Sequence, residues 1–68
     1  MSIYKKTFPD FTAIVTVKPD EGRFLVVADF SDTGLGPVHK HPSDDPERDA
    51  GLYGEKLESH GYAEIGQS

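Results

Sequence analysis

Two stretches of this chain alternate apolar and polar residues with the period of a β-strand. In 11–17 one alternate set is Phe11, Ala13, Val15 and Val17; in 24–30 it is Phe24, Val26, Ala28 and Phe30. Every one of these positions is apolar. The complementary sets are mixed, with Thr12, Ile14, Thr16 and Lys18 in one and Arg23, Leu25, Val27 and Asp29 in the other. Side chains two residues apart share a face of a strand. The pattern therefore predicts a β-hairpin with one buried face, whose register is set because a one-residue slip would expose that face. Lys18-Pro19-Asp20-Glu21-Gly22-Arg23 reads as the connection. Pro19 presets φ for a turn, and Gly22 can take the left-handed conformation that closes it.

The flanking segments are simpler. Ile3 to Phe8 reads as a further extended stretch, and Pro9 keeps it from running straight into the hairpin. Ser31 to Ser43 gathers Gly34, Gly36, Pro37 and Pro42, with only Leu35 and Val38 apolar, and reads as a loop with a short edge strand at Val38–His41. A helix follows. Asp44 or Asp45 can cap it, Pro46 suits its first turn, and Glu47 can complete a capping box with Asp44. Ala50, Tyr53 and Leu57 recur at helical spacing as its buried stripe, and Gly61 is a natural stop. Gly51 and Gly54 each weaken the helix by about 1 kcal/mol relative to alanine, so a separate short first helix is the alternative. Tyr62 to Ile65 reads as a last strand. The expected fold is α+β, a single domain over 1–68 in the order (β)ββαβ, with a small antiparallel sheet built on hairpin 11–30 and covered by one helix.

Charge changes this picture, because all of it lies in the last third. Residues 1–42 balance Lys5, Lys6, Lys18, Arg23 and Lys40 against Asp10, Asp20, Glu21, Asp29 and Asp32. Residues 43–68 set Asp44, Asp45, Glu47, Asp49, Glu55, Glu58 and Glu64 against Arg48 and Lys56, which accounts for the net charge of −5. An acidic surface repels nucleic acid and anionic lipid and suits a basic partner. The chain has no cysteine, which excludes disulfides and thiolate metal sites. No apolar run approaches the ~20 residues of a membrane span, and Phe8-Pro9-Asp10 follows the early lysines where a signal peptide would continue apolar. A soluble, cytoplasmic protein is the expectation.

On a continuous helix Asp44, Glu47, Glu55 and Glu58 fall within an arc of about 80°, across from the apolar stripe. Asp44 to Glu58 spans ~21 Å, and duplex DNA sets a phosphate every ~3.4 Å along each strand. The carboxylates, with Asp45 beside them and Asp49 and Glu64 widening the patch, can imitate a short, sparse phosphate track. Asp44, Asp45 and Glu47 also have an ordinary role, since acids at a helix N-terminus meet its dipole favourably. Glu55 and Glu58 do not, so they are the informative pair.

Other chemistry is thin. His39-Lys40-His41 puts two imidazoles on one face of a strand, where both can reach one metal, with Asp44, Asp45 or His60 as a third ligand. No H-E-x-x-H accompanies them, and His60 also suits a helix C-terminus as a cation. No G-x-S-x-G elbow is present, and Gly34-Leu35-Gly36-Pro37 lacks the spacing and lysine of a phosphate loop. No cofactor is implied, and an enzyme is not expected. Tyr4, Phe8, Tyr53 and Tyr62 read as aromatics at the edge of a small core, of the kind that also serve protein contacts.

In size, charge and layout, with its carboxylate face from Asp44 to Glu58, the chain resembles small phage-borne inhibitors of the anti-CRISPR, DNA-mimic kind. That resemblance implies a non-enzymatic inhibitor. It would block the nucleic-acid site of a basic nucleic-acid-binding protein, such as a Cas effector subunit, through Asp44, Asp45, Glu47, Glu55 and Glu58. A second resemblance is local. Phe11-x-Ala13-x-Val15 followed by Pro19-Asp20-Glu21-Gly22-x-Phe24-x-Val26 is similar to the opening hairpin of HicB-type antitoxins, without the P-G-C turn and G-D-T-x-E-E-A helix start that follow there. It implies an antitoxin-like or other adaptor module acting through a sheet edge and exposed aromatics. The chain is expected as a monomer or as a homodimer that covers Ile14, Leu25 and Val27.

Overall fold

The apolar alternation of the hairpin becomes the centre of a five-stranded antiparallel sheet. The computed structural model describes residues 1–30 and 38–67, the Phe30 side chain excepted. Its elements run β1 (Ser2–Thr7), β2 (Thr12–Asp20), β3 (Arg23–Phe30), β4 (Val38–Pro42), α1 (Pro46–Ser59) and β5 (Ala63–Gln67). The sheet order is β4-β3-β2-β1-β5. The first four strands form a meander, and α1 carries the chain from the β4 edge over the sheet to the opposite edge. This is the α+β fold expected from the pattern, with the stretch expected over 3–8 forming a strand at Ser2–Thr7, the last strand expected over 62–65 at Ala63–Gln67 and the edge strand at Val38–Pro42.

Hairpin register matches the all-apolar face: Ala13 pairs with Phe30, Val15 with Ala28 and Val17 with Val26. The connection is shorter than expected. Strand pairing continues through Lys18–Leu25, Pro19–Phe24 and Asp20–Arg23, leaving only Glu21-Gly22 as the turn. Gly22 has φ +71°, which glycine takes without strain, and Arg23 Nε meets Asp20 Oδ2 at 3.0 Å beside it. Phe11 lies just outside β2, half-buried, with its ring stacked on Phe8 at 4.7 Å. The expected loop over 31–37, including Leu35, and the place of the Phe30 ring lie outside the described residues.

Helix α1 is continuous across both glycines. Asp45, not Asp44, is its N-cap, accepting from the Arg48 backbone N–H at 3.4 Å. Glu47 is therefore at the second helical position, and the Asp44–Glu47 capping box does not form. Ser43 donates to Asp49 Oδ2 and accepts from the Asp45 N–H at 3.1 Å, so the first turn is tied to the chain that enters it. At the other end Gly61 has φ +93°. Its N–H donates to Glu58 O and that of Tyr62 to Leu57 O, both at 3.1 Å, the paired bonds of a Schellman stop. Lys6 Nζ donates to His60 O at 2.7 Å, setting a cation against the negative end of the helix.

Ala50, Tyr53 and Leu57 face the sheet as the helical spacing predicts, against a core of Tyr4, Val15, Val17, Phe24 and Val26. Tyr4 was expected at the edge of the core; it is 5% exposed. Gly54 explains why there is room. A Cβ on Gly54 would overlap the Tyr4 hydroxyl and stand 2.8 Å from Cζ of the same ring, whereas a Cβ on Gly51 would meet nothing within 4 Å. The two glycines are thus opposites. Gly54→Ala is expected to lose about 1–2 kcal/mol net, because overpacking against a rigid ring exceeds the gain in helix propensity. Gly51→Ala is expected to gain up to about 1 kcal/mol. Urea denaturation of the two variants checks both signs.

Candidate acidic interface

Burial along α1 fixes which side chains point outward. Pro46, Asp49, Ala50, Tyr53, Gly54 and Leu57 are buried or half-buried. Arg48, Glu55 and Ser59 consequently ride the outer crest. Glu47 and Glu58 flank it on the side of Gly54, and Lys56 flanks it on the other, as the 100° step of a helix requires. Gly54 lies over Tyr4 of β1, so the Glu47–Glu58 flank overlooks the β1–β5 side of the sheet. Tyr53 points the other way, to Phe24 and His41.

The candidate acids divide by what they do. Asp45 caps the helix. Asp49 is half-buried and held by Ser43 and by Arg48 Nε at 3.3 Å. Its carboxyl is held below the ordinary value, first by the Ser43 hydroxyl and then by Arg48. It therefore does not widen the outer patch. Asp44 precedes the helix, so the row of four carboxylates on one helical edge reduces to Glu47, Glu55 and Glu58. All three are exposed, and none joins an ion pair among the described residues. Arg48 interrupts the crest in line with Glu55, two turns before it.

Glu64 supplies a fourth carboxylate from β5. Ile3 pairs with Gly66 and Tyr4 with Glu64, so Ile65 is the extra residue of a bulge. Ile65 is 56% exposed, and Gln67 donates to Glu64 at 3.4 Å. Glu64, Glu58 and Glu55 all bear on the Tyr4 phenol. Burial is the main cause that raises its pKa, the three carboxylates add to the rise, and the Ser2 hydrogen bond opposes it. The site is therefore a patch over Tyr4, with Glu47 at one end and Glu64 at the side. Only the mid-helix Gly54 signalled it in the sequence, since Ser2-x-Tyr4-x-Lys6 does not look like a buried face.

The histidines are placed differently from the acids. His41 is half-buried and stacks on Phe24, with ring centroids 4.8 Å apart and planes 14° apart. It also tilts against Tyr53 at 5.9 Å. His39 is exposed, with its ring 6.4 Å from that of His41. His60 is at the far end of α1 beside Lys6, across β2 and β3 from both. Among the described residues no three His, Cys, Asp or Glu side chains gather as a metal site. An open cleft of about 250 Å³ lies beside Met1, Val17, Pro19, Ala50 and Gly51, with Glu47 its one ionisable side chain. No helix of the described residues is long and apolar enough to cross a membrane. Neither a family model, nor a curated protein, nor a solved structure gives a significant match to the chain.

Tyr4 carries a pH signature. A phenol whose pKa is raised by folding contributes its full share below the ordinary value and loses it as pH rises through and beyond that value. Stability of the parent is expected to fall as pH rises through and above about 10, the ordinary tyrosine value, and Tyr4→Phe to flatten that slope. Urea midpoints across this range provide the check; equal slopes would contradict the assignment.

Proposed function

We propose that the protein is a non-enzymatic inhibitor whose acidic flank occupies the nucleic-acid site of a basic partner protein. The supporting observation is the set of three exposed glutamates, Glu55 on the outer crest and Glu47 and Glu58 on the adjoining flank of a continuous helix, none of them in an ion pair among the described residues. Glu47 to Glu58 spans ~16 Å, the length of about five phosphate steps along one DNA strand. Three carboxylates over that distance, with Glu64 beside them and Asp44 before the helix, make a sparse mimic. A Cas effector subunit is the class of partner that the resemblance to anti-CRISPR inhibitors suggests.

The adaptor reading drew on exposed aromatics, and the geometry favours it less. Tyr4 is buried, Phe8 stacks on Phe11, and Tyr53 leans on Phe24. Lys6 holds a place near both Phe8 and Tyr62, 5.0 and 5.8 Å from their ring centroids. These rings are committed to internal contacts.

An electrophoretic assay with purified Cas effector complexes and labelled target DNA tests the proposal. The chain is expected to displace DNA, with potency falling steeply between about 50 and about 200 mM salt. Glu55→Lys with Glu58→Lys is expected to weaken inhibition about tenfold or more while leaving the thermal melt unchanged. A double reversal that inhibits as well as the parent overturns the proposal.

A further inference from the structure

Helix α1 covers only one face of the sheet. Strand pairing places Ile3, Thr16, Val27 and Val38 in one row across the opposite face. Neighbouring rows there hold Lys5, Ile14 and Asp29 on one side and Lys18, Leu25 and Lys40 on the other. Val38 is 55% exposed, and no described side chain of α1 reaches this face. The three lysines and Asp29 are exposed, and none is in an ion pair among the described residues. A chain of net charge −5 thus keeps a basic, apolar face opposite its acidic one.

We propose that this face docks an acidic amphipathic helix of a protein partner, independently of the acidic flank on α1. Ile14 and Thr16 of β2 with Leu25 and Val27 of β3 make its floor. Lys5 on β1 and Lys40 on β4 make the rails. Those two strands stand about 14 Å apart across the central pair, and a helix with its side chains measures ~10–12 Å. From Ile14 to Lys18 the floor runs ~14 Å, room for about nine helical residues. Carboxylates on both flanks of such a helix meet Lys5 on one side and Lys40 on the other. Asp20 at the end of this face is held by Arg23 at 3.0 Å, so the one acid of the face outside an ion pair sets polarity: Asp29 suits the positive N-terminus of the guest, and Lys18 with Lys40, at the other end, suits its C-terminus. Two rival occupants fit less well. A second copy docked face to face brings six unpaired lysines together against two unpaired aspartates, each Asp20 being neutralised by its own Arg23. Single-stranded nucleic acid stacks its bases on aromatic rings, and no described aromatic side chain is on this face.

The test uses the full chain and a fluorescein-labelled synthetic helix of about 14 residues, with leucines at i, i+3, i+4 and i+7 and glutamates on both flanks. Fluorescence anisotropy is expected to show binding at least about tenfold tighter than that of the same peptide with lysines for glutamates. Lys18→Glu with Lys40→Glu is expected to weaken it about tenfold or more, and Lys56→Glu, on α1, to leave it unchanged. Amide shift mapping on the unmodified chain keeps the test independent of how the variants fold; β2 and β3 are expected to respond and α1 is not. No preference for the acidic peptide overturns the proposal. So does tighter binding of a single-stranded oligonucleotide, or a dimer in sedimentation that excludes the peptide.

Discussion

The contact between Gly54 and Tyr4 governs where everything else lies. An aromatic side chain from β1 stands under the middle of the only described helix, and a residue without a Cβ lets the helix backbone approach it. That approach fixes the rotation of α1 about its own axis. With Gly54 over Tyr4, Ala50 turns to the core, Tyr53 turns to Phe24 and His41, and Glu47 and Glu58 must stand on the β1 side. The glycine that weakens the helix by propensity is the one that orients it.

Both ends of the helix are tied down in ways that preserve this rotation. At the start, Ser43, Asp45, Arg48 and Asp49 form one small network. At the finish, the Schellman bonds and Lys6 hold the last turn. Two of the acids, Asp45 and Asp49, are needed for this local work, so the charge bias of the last third is partly structural. What remains unneutralised is concentrated over Tyr4. The sheet separates it from the lysines of the open face, and a net charge near −5 conceals a molecule with two unlike sides.

The hairpin was legible because one of its faces is wholly apolar, from Ala13 to Val17 and from Phe24 to Ala28. Its turn is shorter than the pattern suggests, since Pro19 and Asp20 look like loop residues yet lie beyond the last β1 partner, Ser2 opposite Val17, where strand pairing continues on one side only. β1 hid its buried residue because Ser2 and Lys6 flank Tyr4 on the same face. The helix and its stop were legible from Pro46, Ala50, Leu57 and Gly61. The choice between Asp44 and Asp45 as cap was not, for both are capable and only the network around Ser43 decides it. Of the acidic site, Glu55 and Glu58 survive as neighbours, with Glu47 about two to three turns back along the helix. Their grouping with Glu64 depends on a strand order that no local pattern announces.

The account therefore stands on the position of one helix over one ring. Nuclear Overhauser effects between the Gly54 α-protons and the Tyr4 ring protons measure it directly. Strong cross-peaks, with the Gly54 α-protons displaced by the ring current, are the result the account predicts. Absent cross-peaks, or Tyr4 contacts to another turn of α1, would contradict it and would move Glu55 and Glu58 away from Glu64.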